Sequence, residues 1–160
     1  MAQLAQLGVS MVNVHASGGV EMMQAAKEGL SEGTKTGQKM PLLIAVTQLT
    51  SREDKTNQYE QQLAVSQEES ILHLASLTKK SGLDGVVCSP LEVTQIKEKI
   101  GTSFLTVTPG IRNADESIPK DDQVRITTPS QAAEWGSDYI VVGKFSDSRT
   151  ARGSEAIRFR

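Results

Sequence analysis

The feature that most constrains the fold is a regular alternation between two kinds of segment. Short apolar runs rich in β-branched residues are separated by stretches in which apolar residues recur at helical spacing. Nearly continuous hydrophobicity over so few residues is typical of parallel strands buried on both faces. The runs are MVNVHA (11–16), LLIAVTQL (42–49), LDGVVCS (83–89), FLTVTPG (104–110) and YIVVGK (139–144). The pattern predicts an α/β protein with a parallel sheet, either open or closed as a barrel.

The intervening segments contain recognisable helix starts and stops. Ser89 before Pro90, and Thr128 before Pro129, each combine a capping side chain with a first-turn proline. The final tract, 145–160, has no clear apolar face, so we expect an atypical tail without packed structure after a partial barrel over 1–144. The predicted helices are Val20–Ser31, Gln58–Lys80, Leu91–Ile100 and Thr128–Trp135.

Composition excludes several classes of function. The net charge of −2 comes from mixed signs without a basic stripe, so nothing favours nucleic acid or an anionic membrane as a partner. The single cysteine, Cys88, cannot form an intrachain disulfide and favours a reducing, cytoplasmic setting. No apolar stretch approaches the roughly 20 residues of a spanning helix. The two histidines lack metal-ligand spacing with any carboxylate pair, so we expect no metal site.

Polar or small residues follow the predicted strands, and the carboxyl ends of parallel strands converge on one face of a barrel. Gly143-Lys144 ends the last strand, and loops at this position often hold phosphate through backbone N–H groups. Arg112, after the preceding strand, can add a forked, charge-assisted contact. A phosphate site and an ordinary strand-end glycine beside a solvated cation both fit this spacing.

Other candidate side chains favour structural roles. His15 could be a general base, but a strand histidine hydrogen-bonded inside a barrel is the preferred interpretation. Cys88 without a partner base is better explained as a small buried hydrophobe than as a nucleophile. Asp84 fits a strand-entry turn. No strand end carries a paired carboxylate and lysine, so catalysis by a buried charged constellation has no obvious carrier.

Six ordered segments resemble the orotidine 5′-phosphate decarboxylase family, and most closely its bacterial members. They are LGVSMVNVHASGG, IAVTQLTS, SGLDGVVCS, FLTVTPGIR, DDQVR and YIVVGK, and the similarity extends from Met1 to Lys144. The resemblance implies a TIM (β/α)8 barrel that acts as a homodimer. It also implies conversion of orotidine 5′-phosphate to uridine 5′-phosphate and CO2 without a cofactor, in pyrimidine biosynthesis.

The resemblance assigns binding roles to matching positions. Thr50, in TQLTS, corresponds to the hydroxyl residue that contacts the pyrimidine, and Pro109, in TPGIR, lines the apolar side of the base pocket. At position 144 the family usually has an arginine, so lysine replaces a bidentate fork by a point charge. The residues that match the phosphate-binding set are Arg112, Gln123, Gly143 and Lys144.

Two departures from the family pattern decide what we expect of this chain. The family's Asp-x-Lys-x-x-Asp motif, with its proton-donating lysine, has no match and would lie upstream of Met1. About five of eight strands are present, which cannot close a barrel and would leave two strand edges open. We therefore expect substrate-binding residues without decarboxylase activity. The alternatives are a non-catalytic phosphate-binding or interaction fragment that pairs through its open edges, and another sugar-phosphate barrel enzyme such as a hexulose-phosphate synthase.

Overall fold

The computed structural model describes residues 1–48, 59, 61–111, 127–142 and 155–158. Its centre is a six-stranded sheet in which the strands follow one another in chain order. The first five strands are mutually parallel, as the apolar runs predicted, and the sixth is antiparallel to the fifth. The strands are β1 (Met11–His15), β2 (Leu42–Val46), β3 (Gly85–Val87), β4 (Leu105–Ile111), β5 (Tyr139–Val142) and β6 (Glu155–Arg158).

Five α-helices are described, and the third and the fifth in chain order begin at a side-chain cap. Ser89 and Thr128 each form a capping box, with Glu92 and Gln131 as their reciprocal partners. Short 3-10 turns cover Ala16–Gly18 and Pro90–Glu92. The α-helices are α1 (Ala2–Gln6), α2 (Gly19–Gly33), α3 (Gln67–Lys80), α4 (Val93–Ile100) and α5 (Pro129–Glu134).

The predicted helix Gln58–Lys80 is interrupted: Tyr59 and Gln61 are helical, a turn follows at Gln62, and the third helix begins at Gln67. The Ser66 side chain accepts a hydrogen bond from the Glu69 N–H at 3.1 Å, which satisfies one of the unpaired donors of the first turn. Glu68 and Glu69 add negative charge where the helix dipole favours it. The cap therefore fixes the start of α3, whereas apolar spacing alone did not reveal the interruption before it.

The helices pack on one face of the sheet and form three apolar clusters. α2 covers β1 and β2, with Met23 and Leu30 against Leu43. α3 and α4 cover β3, and α5 covers the end of β4 and β5. Every second residue of each strand points into these clusters, since side chains alternate between the two faces of a sheet. The cluster-facing strand residues are Val12, Val14, Leu43, Ala45, Val86, Ile111 and Ile140.

Strand β6 corrects two expectations from the sequence. Residues 155–158 pair with Tyr139–Val142, although the sequence predicted an atypical tail there. The outer edge of β5, which we expected to be open, is therefore covered. The guanidinium carbon of Arg158 lies 5.8 Å from the ring centroid of Tyr139, within the range of a cation–π contact. The remaining tail positions lie outside the described residues.

Two aspartates at equivalent positions anchor the amino ends of the strands. Asp84, directly before β3, accepts a hydrogen bond from the Leu43 N–H at 2.7 Å, which confirms its interpretation as a strand-entry residue. Asp138, directly before β5, accepts one from the Thr106 N–H at 2.7 Å. Each carboxylate thus holds the start of the preceding strand.

Candidate ligand-binding edge

The carboxyl ends of β1 to β5 lie at one edge of the sheet, and the predicted ligand residues follow these strand ends in the sequence. Of the six predicted residues, Pro109 is described, and it lies half-exposed within β4. The other five lie outside the described residues, so their roles stay predictions. They are Thr50, Arg112, Gln123, Gly143 and Lys144.

Pro109 lies in a bulge at the carboxyl end of β4. Thr108 pairs with Ile140, whereas Ile111 pairs with Val142, so β4 contains one extra residue between the two pairs. Proline has no N–H to contribute to the ladder, and Gly110 adopts a φ of 81°, which a side chain would disfavour. Bulges of this kind often occur next to active sites because they redirect a strand end.

The bulge also sets where Pro109 lies relative to the sheet. Thr108 faces the helix layer, where its hydroxyl hydrogen-bonds to Ser137 Oγ at 3.1 Å. By alternation Pro109 lies on the opposite face, the one that the packed helices leave uncovered. This is the face that becomes the interior in a closed barrel. The sequence signal for the bulge was the Pro-Gly pair inside an apolar run, which we had interpreted only as part of a strand end.

The first polar residues after β2 have structural roles. The buried Thr47 donates its hydroxyl to the Val87 carbonyl at 2.9 Å and therefore ties β2 to β3. Gln48, also buried, donates its amide to Ser70 Oγ at 3.1 Å and ties the strand end to α3. These contacts fix the chain two residues before Thr50.

Polar strand ends are therefore a weaker functional signal than we expected. We had reasoned that a structural sheet has no need of polar residues at every strand end. Thr47, Gln48, Ser89 and Thr108 are all buried and hydrogen-bonded within the protein. Buried polar groups require such partners, so their residue types alone do not indicate a ligand.

Cys88 is fully buried in the cluster that contains Val86 and Val93, as predicted. Burial raises the pKa of its thiol well above the ordinary value, and the negative charge of Glu92 acts in the same direction. The thiol therefore stays protonated and unreactive in the folded chain.

This pKa shift predicts a pH dependence of stability. In the unfolded chain the thiol ionises near pH 8.5, so above that pH the unfolded state binds fewer protons than the folded state. The stabilisation present at lower pH is then lost as the pH rises, by up to about 1.4 kcal/mol per pH unit. We expect the free energy of unfolding of the parent chain to fall by about 1 kcal/mol more than that of Cys88→Ala between pH 8 and 9.5. Urea titrations at both pH values measure this difference, and parallel pH profiles would contradict it.

His15 differs from its preferred interpretation. Its side chain is exposed at the end of β1, the edge strand of the sheet, rather than enclosed in a barrel interior. Asn13, on the same face of the strand, is also exposed. The neighbouring strand β2 alone therefore does not enclose the His15 side chain.

A groove of about 430 Å3 lies at the opposite end of the sheet, between α4 and the end of α5. Its lining includes Lys97, Trp135 and Asp138. Lys97 already donates to Asp138 at 2.6 Å and to the Phe104 carbonyl at 2.9 Å. In barrels of this type, residues at the amino ends of the strands serve stability rather than catalysis. We therefore assign this groove to the packing of the fold.

A known protein family matches most of the chain. The family described as "Orotidine 5'-phosphate decarboxylase / HUMPS family" matches residues 1–145. This chain belongs to that family. The match covers β1 to β5, the bulge at Pro109, and the positions of all six predicted binding residues. The fold is thus α/β, of the TIM-barrel family, with five parallel strands.

Individual relatives show how much of the family protein is present. Orotidine 5′-phosphate decarboxylases from Bacillus cereus (strain AH820) and Bacillus anthracis (strain A0248) are each 54% identical over 144 residues, which is 90% of this chain and 60% of each relative. The crystal structure of orotidine 5′-phosphate decarboxylase from Lactobacillus acidophilus matches with a TM-score of 0.75 and 46% identity, over 87% of this chain and 56% of that one. An uncharacterized conserved protein from Geobacillus kaustophilus gives 0.76 and 44%, over 94% and 61%. The chain thus spans about 60% of the length of these curated relatives.

Two structural features are absent from the described residues. No helix in these ranges combines the length and the apolar character needed to cross a lipid bilayer. Within the same ranges, no group of three or more His, Cys, Asp or Glu side chains is placed to hold a metal ion.

Proposed function

We propose that this chain supplies the base- and phosphate-binding part of an orotidine 5′-phosphate decarboxylase barrel and does not catalyse decarboxylation by itself. Its family membership supports the first half, together with relatives of that name at 54% identity. The names of the same relatives favour a nucleotide as the ligand, rather than the base-free sugar phosphate that the alternative barrel enzyme would bind. The homodimer and the cytoplasmic location implied by the family belong to this proposal.

The observation that carries the proposal is the bulged end of β4. The bulge redirects β4 at Pro109, which lies on the face of the sheet away from the helices. The next residue after β4 in the sequence is Arg112. Gln48 and Val142 are the last described residues of the segments that contain β2 and β5, shortly before Thr50 and Gly143. Because β2 to β5 are parallel and consecutive in the sheet, their carboxyl ends lie at one edge of it.

Each proposed contact has a physical basis in its residue type. The Thr50 hydroxyl would hydrogen-bond to the pyrimidine, and Pro109 would give the base an apolar wall. Arg112 would hold the phosphate through two parallel N–H donors, with Gln123 and the Gly143 N–H as further donors. Lys144 would add a point charge in place of the usual guanidinium, which weakens the grip without abolishing it.

The second half of the proposal follows from the chemistry of proton transfer. Loss of CO2 leaves a carbanion that an acid must protonate, and the family's acid is the lysine of its Asp-x-Lys-x-x-Asp motif. The sequence contains no such motif. Binding energy from the phosphate can accelerate a reaction only where groups that stabilise the transition state are in place. We therefore infer binding without turnover.

Calorimetry and a decarboxylation assay on the same purified chain test both halves. We expect uridine 5′-monophosphate to bind, and Arg112→Ala to weaken binding by about tenfold or more because a charge-assisted contact is lost. Lys80→Ala is the matched control, since it removes an exposed cation at the carboxyl end of α3, away from the carboxyl ends of the strands. No decarboxylation should be detectable.

Three outcomes would count against the proposal. Turnover by a chain free of host enzyme would refute the loss of catalysis. No binding at millimolar nucleotide would refute the retained site. Equal binding by base-free sugar phosphates would favour the alternative sugar-phosphate barrel enzyme.

A further inference from the structure

Strand β4 holds the two ends of its neighbour β5 unequally. The first two residues of β5 pair with β4 in regular parallel register, and the register then shifts. Two residues of β4, Pro109 and Gly110, stand opposite the single residue Val141 of β5. A bulge disrupts the hydrogen-bond ladder at the place where it occurs. The β4 side of the sheet therefore holds the amino end of β5 more regularly than the carboxyl end.

On its other side β5 pairs with β6 without interruption. The antiparallel register covers all four residues, from Tyr139 opposite Arg158 to Val142 opposite Glu155. The cation–π contact between the Arg158 guanidinium and the Tyr139 ring adds a side-chain attachment at one end of this pair of strands. β6 therefore supplies a regular ladder at the carboxyl end of β5, where the bulge disturbs the β4 side.

The backbone groups of Val142 are directed toward β6. The Tyr139 carbonyl accepts a hydrogen bond from the Thr108 hydroxyl of β4 at 3.3 Å, so the Tyr139 backbone faces β4. Backbone groups alternate between the two sides of a strand, so those of Ile140 and Val142 face β6. The last residue of β5 is therefore held chiefly by β6.

Two predicted phosphate ligands, Gly143 and Lys144, follow Val142 directly in the sequence. Binding groups must be held to within about 0.5 Å of their productive positions, so a strand that fixes Val142 also affects the donors that follow it. The family match ends at residue 145, and β6 lies beyond it. The pairing of β6 with β5 is thus a feature of this chain that the family match does not include.

We propose that β6 is a positioning strand for the phosphate-binding part of the site. Its ladder with β5 fixes Val142 and thereby directs the Gly143 N–H and the Lys144 ammonium toward the phosphate of a nucleoside monophosphate. The ligand in this inference rests on the proposed function, whereas the β5–β6 ladder can be tested without any ligand.

Two proline substitutions separate the ladder from the other effects of changing β6. Ile157 is paired with Ile140, whose backbone faces β6, so the Ile157 N–H is directed toward β5 and the Ala156 N–H away from it. Ile157→Pro removes a donor of the ladder. Ala156→Pro removes a donor that the ladder does not use, which an edge strand tolerates. Ile157→Ala keeps the N–H and controls for loss of the side chain.

Calorimetry with uridine 5′-monophosphate measures the effect on the site. We expect Ile157→Pro to weaken binding about tenfold, as for loss of one charge-assisted contact, and both controls to bind within about twofold of the parent chain. General destabilisation would not distinguish one ligand residue from another, but misplacement of the end of β5 does. Ile157→Pro should therefore have a smaller effect in a Lys144→Ala background, and its full effect in an Arg112→Ala background, because Arg112 follows β4.

Amide hydrogen exchange tests the ladder on the chain alone. The amides of Ile140 and Val142 should be protected in the parent chain and in Ala156→Pro. In Ile157→Pro both should exchange faster, while the amide of Val86, in β3 inside the sheet, stays protected and shows that the rest of the fold is intact.

Two results would overturn the positioning role of β6 specifically. One is an unprotected Val142 amide in the parent chain. The other is parent-like nucleotide affinity in an Ile157→Pro chain that has lost this protection. A parent chain that shows the protection but does not bind the nucleotide would instead overturn the proposed function, and the positioning role with it.

Discussion

Replacing Asp138 with alanine is expected to lower the free energy of unfolding by about 2–3 kcal/mol. One carboxylate oxygen accepts three hydrogen bonds, from the Thr106 N–H at 2.7 Å, the Thr106 hydroxyl at 3.1 Å and the Lys97 ammonium at 2.6 Å. The Lys97 side chain is only 13% exposed, so its charge would lose its counterion in a partly desolvated position. Two carbonyl acceptors, those of Thr102 and Phe104, remain to it, which limits the loss.

Asp84→Ala is the matched control, because Asp84 holds the equivalent position before β3. Its carboxylate accepts the Leu43 N–H at 2.7 Å. The expected loss is about 1 kcal/mol, the usual net value of one hydrogen bond. Urea unfolding followed by the fluorescence of Trp135, the single tryptophan, measures both. Equal losses would show that the Lys97 ion pair adds nothing. A double-mutant cycle of Asp138→Ala with Lys97→Ala then isolates the coupling between the two side chains.

Most of the strands could be predicted from the sequence because burial on both faces makes them nearly continuous apolar runs. β3 and β4 are examples, since Val86 and Val107 are both buried although they lie on opposite faces. The start of α3 was misplaced because apolar spacing continues before Ser66, and the cap decides where the helix begins. β6 escaped prediction because EAIR contains no such run, and its pairing with β5 depends on a contact between distant segments.

Less of the candidate site could be predicted, since one residue type serves both structure and binding. Thr47 and Gln48 stand next to the predicted ligand residue Thr50, yet their partners are Val87 and Ser70. Those partners lie 40 and 22 residues away along the chain, and local spacing carries no information about them. The bulge at Pro109 was predictable in principle, because proline followed by glycine within a strand pattern has few structural explanations other than a bulge, but we had interpreted the pair only as part of a strand end.

Gly85→Ala is expected to destabilise the chain by about 3 kcal/mol, because β3 and β4 approach each other too closely for a side chain there. A Cβ at this position would lie 2.3 Å from the Leu105 carbonyl oxygen and 2.6 Å from the Leu105 Cβ. Leu105 is the registered partner of Gly85, and its N–H is held by the Asp84 carbonyl at 3.0 Å. The obstacle is therefore strand backbone, which cannot rotate away as a flexible side chain could.

Alanine substitutions at two other glycines serve as controls, because they distinguish the close approach at Gly85 from other effects of alanine. At Gly33 the added Cβ would meet the Ala2 carbonyl oxygen at 2.2 Å, but α1 is a single short helix at the surface and can shift. At Gly37 nothing lies within 4 Å, and alanine there meets only the strain of a φ of 83°. We expect about 1 kcal/mol for Gly37→Ala and an intermediate loss for Gly33→Ala. If Gly85→Ala were no worse than Gly37→Ala, β3 and β4 would have room to separate. The rigid spacing that holds β4 and its bulged end at Pro109 would then be disproved.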